Sequence, residues 1–214
     1  MKFNLNEYIK YKKPRTKDNY IGVEIECFGA INRDNLAYVM HLNNIKCQIG
    51  YDGSVMDDNG DDGLEIKLLV KEKDFEKEIK KVCGVLKQLN IRVNVDCGLH
   101  VHLDMRNRNV KESYTKLVKS LPRLTKMVKQ HRLNNHYCKL NDTEDFDSAI
   151  SARPRRYVDP YYGPSTEWVQ PERTAINPLS YKKHKTLECR LKEGTINDKE
   201  IIKWIRTLLG VIKK

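Results

Sequence analysis

Four stretches of this chain alternate apolar and charged residues with a period of two, and that alternation limits the possible folds more than any other feature. In YIGVEIECF (20–28), Ile21, Val23, Ile25 and Cys27 alternate with Gly22, Glu24 and Glu26. Glu65 opens a strand at 64–70, just after an acidic turn. His100 and His102 share one side of GLHVHL, and Glu188 and Arg190 share one side of LECRL. Successive side chains of a strand point to opposite faces, so each stretch predicts a strand with one face for a core and one for charge.

Side-by-side carboxylates repel one another and are costly to desolvate. Taken singly, each stretch has an ordinary explanation: a polar face turned to water, or a surface ion pair worth about 1 kcal/mol or less. Four of them in one small domain point instead to a shared sheet face whose carboxylates are neutralised by cations. An oxygen-rich site with an occasional imidazole suits magnesium or manganese, which keep several waters and bind substrate phosphates.

Between these strands the period changes. Phe75, Ile79, Val82, Leu86 and Leu89 predict an amphipathic helix within 71–89. A second helix is expected over 111–130, interrupted at Pro122, and a third after the capping sequence Asn197-Asp198-Lys199-Glu200. Short strands are expected at 46–51, 91–95 and 174–176. The hairpin-like grouping of strands favours an α+β fold: a largely antiparallel sheet of about six strands packed with helices. Residues 1–19 read as a basic N-terminal arm and 20–214 as a single domain. Within it, 151–173 carries four prolines among arginines and tyrosines and reads as a long basic, aromatic loop or lid.

The net charge of +11 implies attraction to polyanions, nucleic acid or another anionic polymer among them. On the helix near 116–132, Lys116, Lys119, Arg123, Lys126, Lys129 and Arg132 recur every three or four residues, the pattern of a solvated basic face. The six cysteines form no CxxC pair, so buried, reduced thiols are expected. Neither a signal peptide nor a membrane span is legible, and a cytoplasmic protein is the expectation.

Taken in order, GVEIE (22–26), YDGS (51–54) with Glu65, CGLHVHLD (97–104) and TLECRLKEGTI (186–196) resemble the amidoligase family. That family is related to glutamine synthetase and glutamate–cysteine ligase. The resemblance runs from about Tyr20 to the C-terminus and is sharp at those motifs only. It implies a curved antiparallel sheet carrying ATP and two or three Mg2+ (or Mn2+) ions. It further implies an enzyme that joins a carboxylate to an amine through an acyl phosphate. The partners would be an amino acid, a peptide, a protein or a modified nucleobase. By matching motifs, Glu24, Glu26, Glu65, His100 and Glu188 would ligate metal, His102 would lie beside the nucleotide, and Arg190 would hold the transferring phosphoryl group. Arg132, Asn135, Arg173 and Asn177 match more loosely and would lie near nucleotide or substrate.

Asp52, in the DGS turn, is a candidate to deprotonate the amine, although turn formation is the commoner task of Asp-Gly. Arg155, in the basic loop, is a candidate substrate contact. Two other functions stay open on sequence grounds. One is a metal-dependent hydrolase using the histidine pair with Asp104, His131 and His136. The other is a basic nucleic-acid-binding module on a degenerate ligase fold. A Cys97 nucleophile beside His100 is a more distant possibility.

Overall fold

The computed structural model describes residues 18–55, 63–133, 135–152 and 172–213, with the backbone alone of 155–159, 163–169 and 171. Most of the basic arm therefore lies outside the described residues, as do the side chains of the 153–171 segment.

Six strands form one antiparallel sheet. In chain order the strands of the molecule are β1 (Tyr20–Phe28), β2 (Cys47–Tyr51), β3 (Gly63–Lys71), β4 (Gly98–Asp104), β5 (Arg155–Asp159), β6 (Gly163–Val169), β7 (Ile176–Asn177) and β8 (Thr186–Glu193). The main sheet runs β2-β3-β1-β4-β8-β7, and every neighbouring pair is antiparallel. The helices are α1 (Arg33–Leu42), α2 (Phe75–Gln88), α3 (Val110–Lys119), α4 (Leu121–Leu124), α5 (Gln130–Leu133), α6 (Phe146–Ser151), α7 (Ser180–His184) and α8 (Asp198–Lys213). This is the α+β architecture that the mixed periodicities predict.

Alternation decides which face is covered. Ile21, Val23, Ile25, Leu64, Ile66, Leu99, Val101, Leu103 and Leu187 are fully buried and join one hydrophobic cluster with the helices. From α2 come Ile79, Val82 and Leu86, from α3 Tyr114 and Leu117, and from α8 Ile201, Trp204, Ile205 and Leu208. Burying one such aliphatic side chain stabilises the fold by about 1.5–3 kcal/mol. α1 and α3 start at asparagine caps: Asn32 Oδ1 accepts the Asn35 N–H at 2.9 Å, and Asn109 Oδ1 accepts that of Glu112 at 3.2 Å. Pro122 ends the α3 pattern, as its missing N–H requires, and the chain continues through α4 and a short 3₁₀ turn.

Two expected elements differ. Residues 91–95 form a single bridge, with Arg92 N–H and C=O bonded to Phe28 at 2.8 and 3.0 Å, rather than a strand. β1 is flanked by β3 and, as far as Ile25, by β4, so this segment meets only the end of β1. The 151–173 segment, expected as an irregular loop, carries a separate two-stranded hairpin, β5–β6. Its Val158, Thr166, Trp168 and Val169 favour extended backbone, and the chain reverses between Asp159 and Gly163.

Leu208 is wholly buried on the inner face of α8, within the hydrophobic core. Leu208→Ala is expected to lower unfolding stability by about 2–5 kcal/mol, read by urea denaturation. A change under about 0.5 kcal/mol would mean that α8 is not part of the cooperative core.

Candidate functional site

The strand register assembles the charged residues into one patch. Glu24 stands opposite Lys67 of β3 on one side and His100 of β4 on the other. Glu26 stands opposite Glu65. His102 pairs across to Glu188, which in turn pairs with Asn177 of β7. Between Leu99 and Val101 the register shifts: β8 places two residues, Arg190 and Leu191, opposite His100. Such a bulge re-aims a side chain locally, and here it lies at Arg190.

His100 is the centre of this patch. It belongs to two groupings whose ligand atoms lie within 4.8 Å of one another: Glu24 with Glu188, and Glu26 with Glu65. Its Nδ1 lies 3.2 Å from Glu24 Oε2 and 3.7 Å from Glu188 Oε1, while its Nε2 lies 3.3 Å from Glu26 Oε1. Glu26 also accepts the Gly98 N–H at 2.5 Å. A side chain at 98 would displace this pair, because an added Cβ would come within 2.9 Å of His100 Nε2 and 3.0 Å of Glu26 Oε2.

Cations of the chain offset the four carboxylates. Arg190 NH1 donates to Glu188 Oε1 at 2.5 Å, and its Nε donates to the Tyr137 carbonyl at 3.2 Å. Lys67 Nζ reaches Glu65 at 2.7 Å and Glu24 at 3.4 Å. Burial works to raise the Glu24 carboxyl, but the His102 charge and the hydrogen bond from His100 outweigh it and hold Glu24 well below the usual carboxylate range. Glu188 is lowered as well, burial being overcome by His102 and Arg190. Glu65 goes the other way: burial and the nearby Glu24 charge push it up to about 7.

The donor set fits a hard divalent ion: carboxylate oxygens with an imidazole among them. His102 supplies an independent sign. Its Nδ1 is 3.1 Å from both the Ser180 and Thr186 hydroxyls, whereas its buried Nε2 has no hydrogen-bond partner among the described residues. That nitrogen lies 3.4 Å from Glu24 and 3.9 Å from Glu188.

Other expected site residues fall into three groups. Arg132, Arg173 and Asn177 join the patch. Buried Arg132 donates from NH2 to the Arg190 carbonyl at 2.9 Å. Among the described residues Arg173 touches the patch only through Tyr137, over whose ring it lies 4.5 Å from the centroid. Asn177 donates to Glu188 Oε2 at 2.7 Å. Asp52 and Asn135 instead form local turns: Asp52 Oδ1 accepts from the Ser54 N–H and hydroxyl at 2.9 and 2.6 Å, and Asn135 Oδ1 accepts from Tyr137 N–H at 2.8 Å. The Arg155 side chain lies outside the described residues.

Sequence reasoning missed Lys67, although Glu65-Ile66-Lys67 has the same spacing as Glu24-Ile25-Glu26. Ser180 and the Tyr137 carbonyl leave no such trace. The histidine-based alternative gains no support: Asp104 is bound by Arg106 and the Tyr20 N–H, and neither His131 nor His136 belongs to a metal-ligand grouping among the described residues. Burial pushes the Cys97 thiol up to about 11, which opposes a thiolate nucleophile.

A groove of about 900 Å³ lies away from this patch, among α2, α3, α4 and α8, with Lys80, Lys116, Lys119, Arg123, Lys203 and Arg206 along it. It is basic and has none of the candidate chemistry. None of the helices described is long and apolar enough to cross a membrane.

A family model described as "putative amidoligase enzyme" matches residues 48–212. No curated protein and no solved structure matches the chain.

The raised Glu65 carboxyl has a consequence for stability. With its folded pKa near 7 against an ordinary value of 4.5, the folded chain keeps a proton there that the unfolded chain has lost. Its contribution to stability is therefore full below about pH 4.5 and declines as pH rises through 7. Glu65→Gln mimics the protonated form. In metal-free buffer the variant should gain stability relative to the native chain between pH 5 and 7.5, read by urea denaturation. Parallel curves would contradict the assignment.

Proposed function

Because the chain belongs to the amidoligase family, we propose that its charged sheet face joins a carboxylate to an amine at the expense of ATP. The observation that carries this reading is the pair of carboxylate groupings sharing His100, with Arg190 beside them. A carboxylate is a poor acyl donor, since its leaving group would be oxide. Attack of its oxygen on the γ-phosphorus of ATP breaks the bond to the β–γ bridging oxygen, releases ADP and makes an acyl phosphate. The amine nitrogen then attacks the acyl carbon, inorganic phosphate departs, and the amine loses a proton.

Phosphoryl transfer asks for position and charge neutralisation more than for covalent help from the protein. Magnesium or manganese, when bound, would neutralise β- and γ-phosphate oxygens, held by Glu24, His100 and Glu188 and by Glu26 and Glu65. Arg190 would neutralise charge on the equatorial oxygens. Its guanidinium has five N–H donors, and Glu188 and the Tyr137 carbonyl fix its orientation through NH1 and Nε. Asn177 fixes Glu188 from the other side. The hydroxyls of Ser180 and Thr186 set the His102 ring so that Nε2 faces the carboxylates. Arg132 and Arg173 brace this arrangement through the Arg190 carbonyl and Tyr137. Asp52 has a turn-forming task and enters no step here.

A second reading draws on the helical groove, whose lysines and arginines suit a polyanion such as nucleic acid. It lies apart from the carboxylate patch, so it would add a partner without replacing the chemistry.

Hydroxylamine can stand in for the amine, and the hydroxamate it forms reports acyl phosphate from any carboxylate in an amino-acid and peptide mixture. ATP-dependent hydroxamate and ADP should appear together. Glu24→Gln should reduce both by several kcal/mol of transition-state stabilisation, on the order of a thousandfold. Near-native turnover in that folded variant would overturn the reading.

A further inference from the structure

Lys67 occupies a position that the ligase chemistry does not require. It stands opposite Glu24 in the β1–β3 register, and its ammonium lies 2.7 Å from Glu65 and 3.4 Å from Glu24. Those two carboxylates belong to different groupings, Glu24 with Glu188 and Glu65 with Glu26. One lysine thus bridges both. His100 is shared too, with one ring nitrogen toward each grouping, and a neutral imidazole offers a lone pair at only one of them. The two ends therefore cannot both draw on His100 while it is neutral, and Lys67 already neutralises Glu65.

There is also room for the lysine to leave. Gly50 is the cross-strand neighbour of Glu65 on the β2 side, and a Cβ added there would touch nothing within 4 Å. The Lys67 side chain is 31% exposed; its own neighbour on β2 is Gln48, so the ammonium can swing past Gln48 toward the open space above Gly50.

We propose that Lys67 is a tethered counter-ion that holds the Glu26–Glu65 end of the site against a divalent ion. Resting on the metal-site reading above, this makes occupancy ordered. A first ion enters at Glu24, His100 and Glu188. A second enters at Glu26 and Glu65 only as the ammonium swings out, where it can meet an anionic oxygen such as a nucleotide phosphate. A lysine at this position thereby couples the second ion to the arrival of an anion.

The probe is Mn2+ alone, without nucleotide, titrated against the full chain and followed by electron paramagnetic resonance of the free ion. The native chain should bind one ion tightly and a second at least about tenfold more weakly, because the Lys67 ammonium is in direct contact with Glu65 and stands farther from Glu24. Lys67→Met should bind two with similar affinity. Because that variant leaves carboxylates unpaired and can unfold, a second measurement uses the native chain. The rate at which an acylating reagent modifies Lys67, read by peptide mass spectrometry, should stay constant through the first equivalent of Mn2+ and rise several-fold at saturation. Two equally tight ions in the native chain, a single ion in folded Lys67→Met, or a constant acylation rate with two ions bound would each overturn the proposal while leaving the metal site standing. No bound ion in either protein would overturn the metal site itself, and this inference with it.

Discussion

Four glutamates crowd around one histidine on a sheet face, and most of the surrounding structure can be understood as the answer to their repulsion. Glu26 and Glu188 are almost completely buried, and Glu24 and Glu65 are half-buried. Charges in such a place persist only with close partners. The chain supplies them from every side: Lys67 from β3, Gly98 N–H and His100 from β4, Arg190 from the β8 bulge, and Asn177 from β7. The pKa directions follow from this geometry. Glu24 and Glu188, which face histidines and Arg190, are lowered, whereas Glu65, beside Glu24 and with less help, is raised. One carboxyl raised to about 7 and one buried imidazole nitrogen without a hydrogen bond among the described residues mark where the cation of the proposed reading would sit.

The opposite face makes that arrangement affordable. Period-two alternation places an apolar residue behind each charged one, and α2, α3 and α8 cover that side continuously. The strands are therefore held by core packing and ladder hydrogen bonds rather than by the charged residues, which leaves those residues free to be optimised for ligand. The helices in turn present lysine and arginine outward, and part of the net charge of +11 is on that side, away from the carboxylates.

Much of the site was legible because a strand converts spacing into direction. Glu24 and Glu26, His100 and His102, and Glu188 and Arg190 each reveal a shared face, and any antiparallel register that aligns the strands brings them together. What spacing does not show is how residues between strands fold back. Arg132 and Tyr137 reach Arg190 from the segment after α4, and nothing in HRLNNHYC specifies that the Tyr137 carbonyl, rather than its ring, is the contact. Ser180 lies on a short helix and reaches His102 only because α7 precedes β8 closely. The hairpin at 155–169 was obscured by prolines, although its β-favouring residues are local enough to form it. Asp52 and Asn135 show another side of this: the motif match does not reveal that their side chains are hydrogen-bonded within their own turns.

On the proposed reading, the carboxylate–histidine patch binds a nucleotide together with a divalent ion. Thermal unfolding of the native chain and of Glu24→Gln, each with ATP plus magnesium and with ATP plus EDTA, tests it most directly. Ligand at about a hundred times its dissociation constant adds roughly 2.7 kcal/mol, a rise of several degrees for a domain of this size. That rise is expected in the native chain with magnesium only, and its loss in Glu24→Gln. An absent shift, or one that survives both EDTA and the substitution, would contradict it.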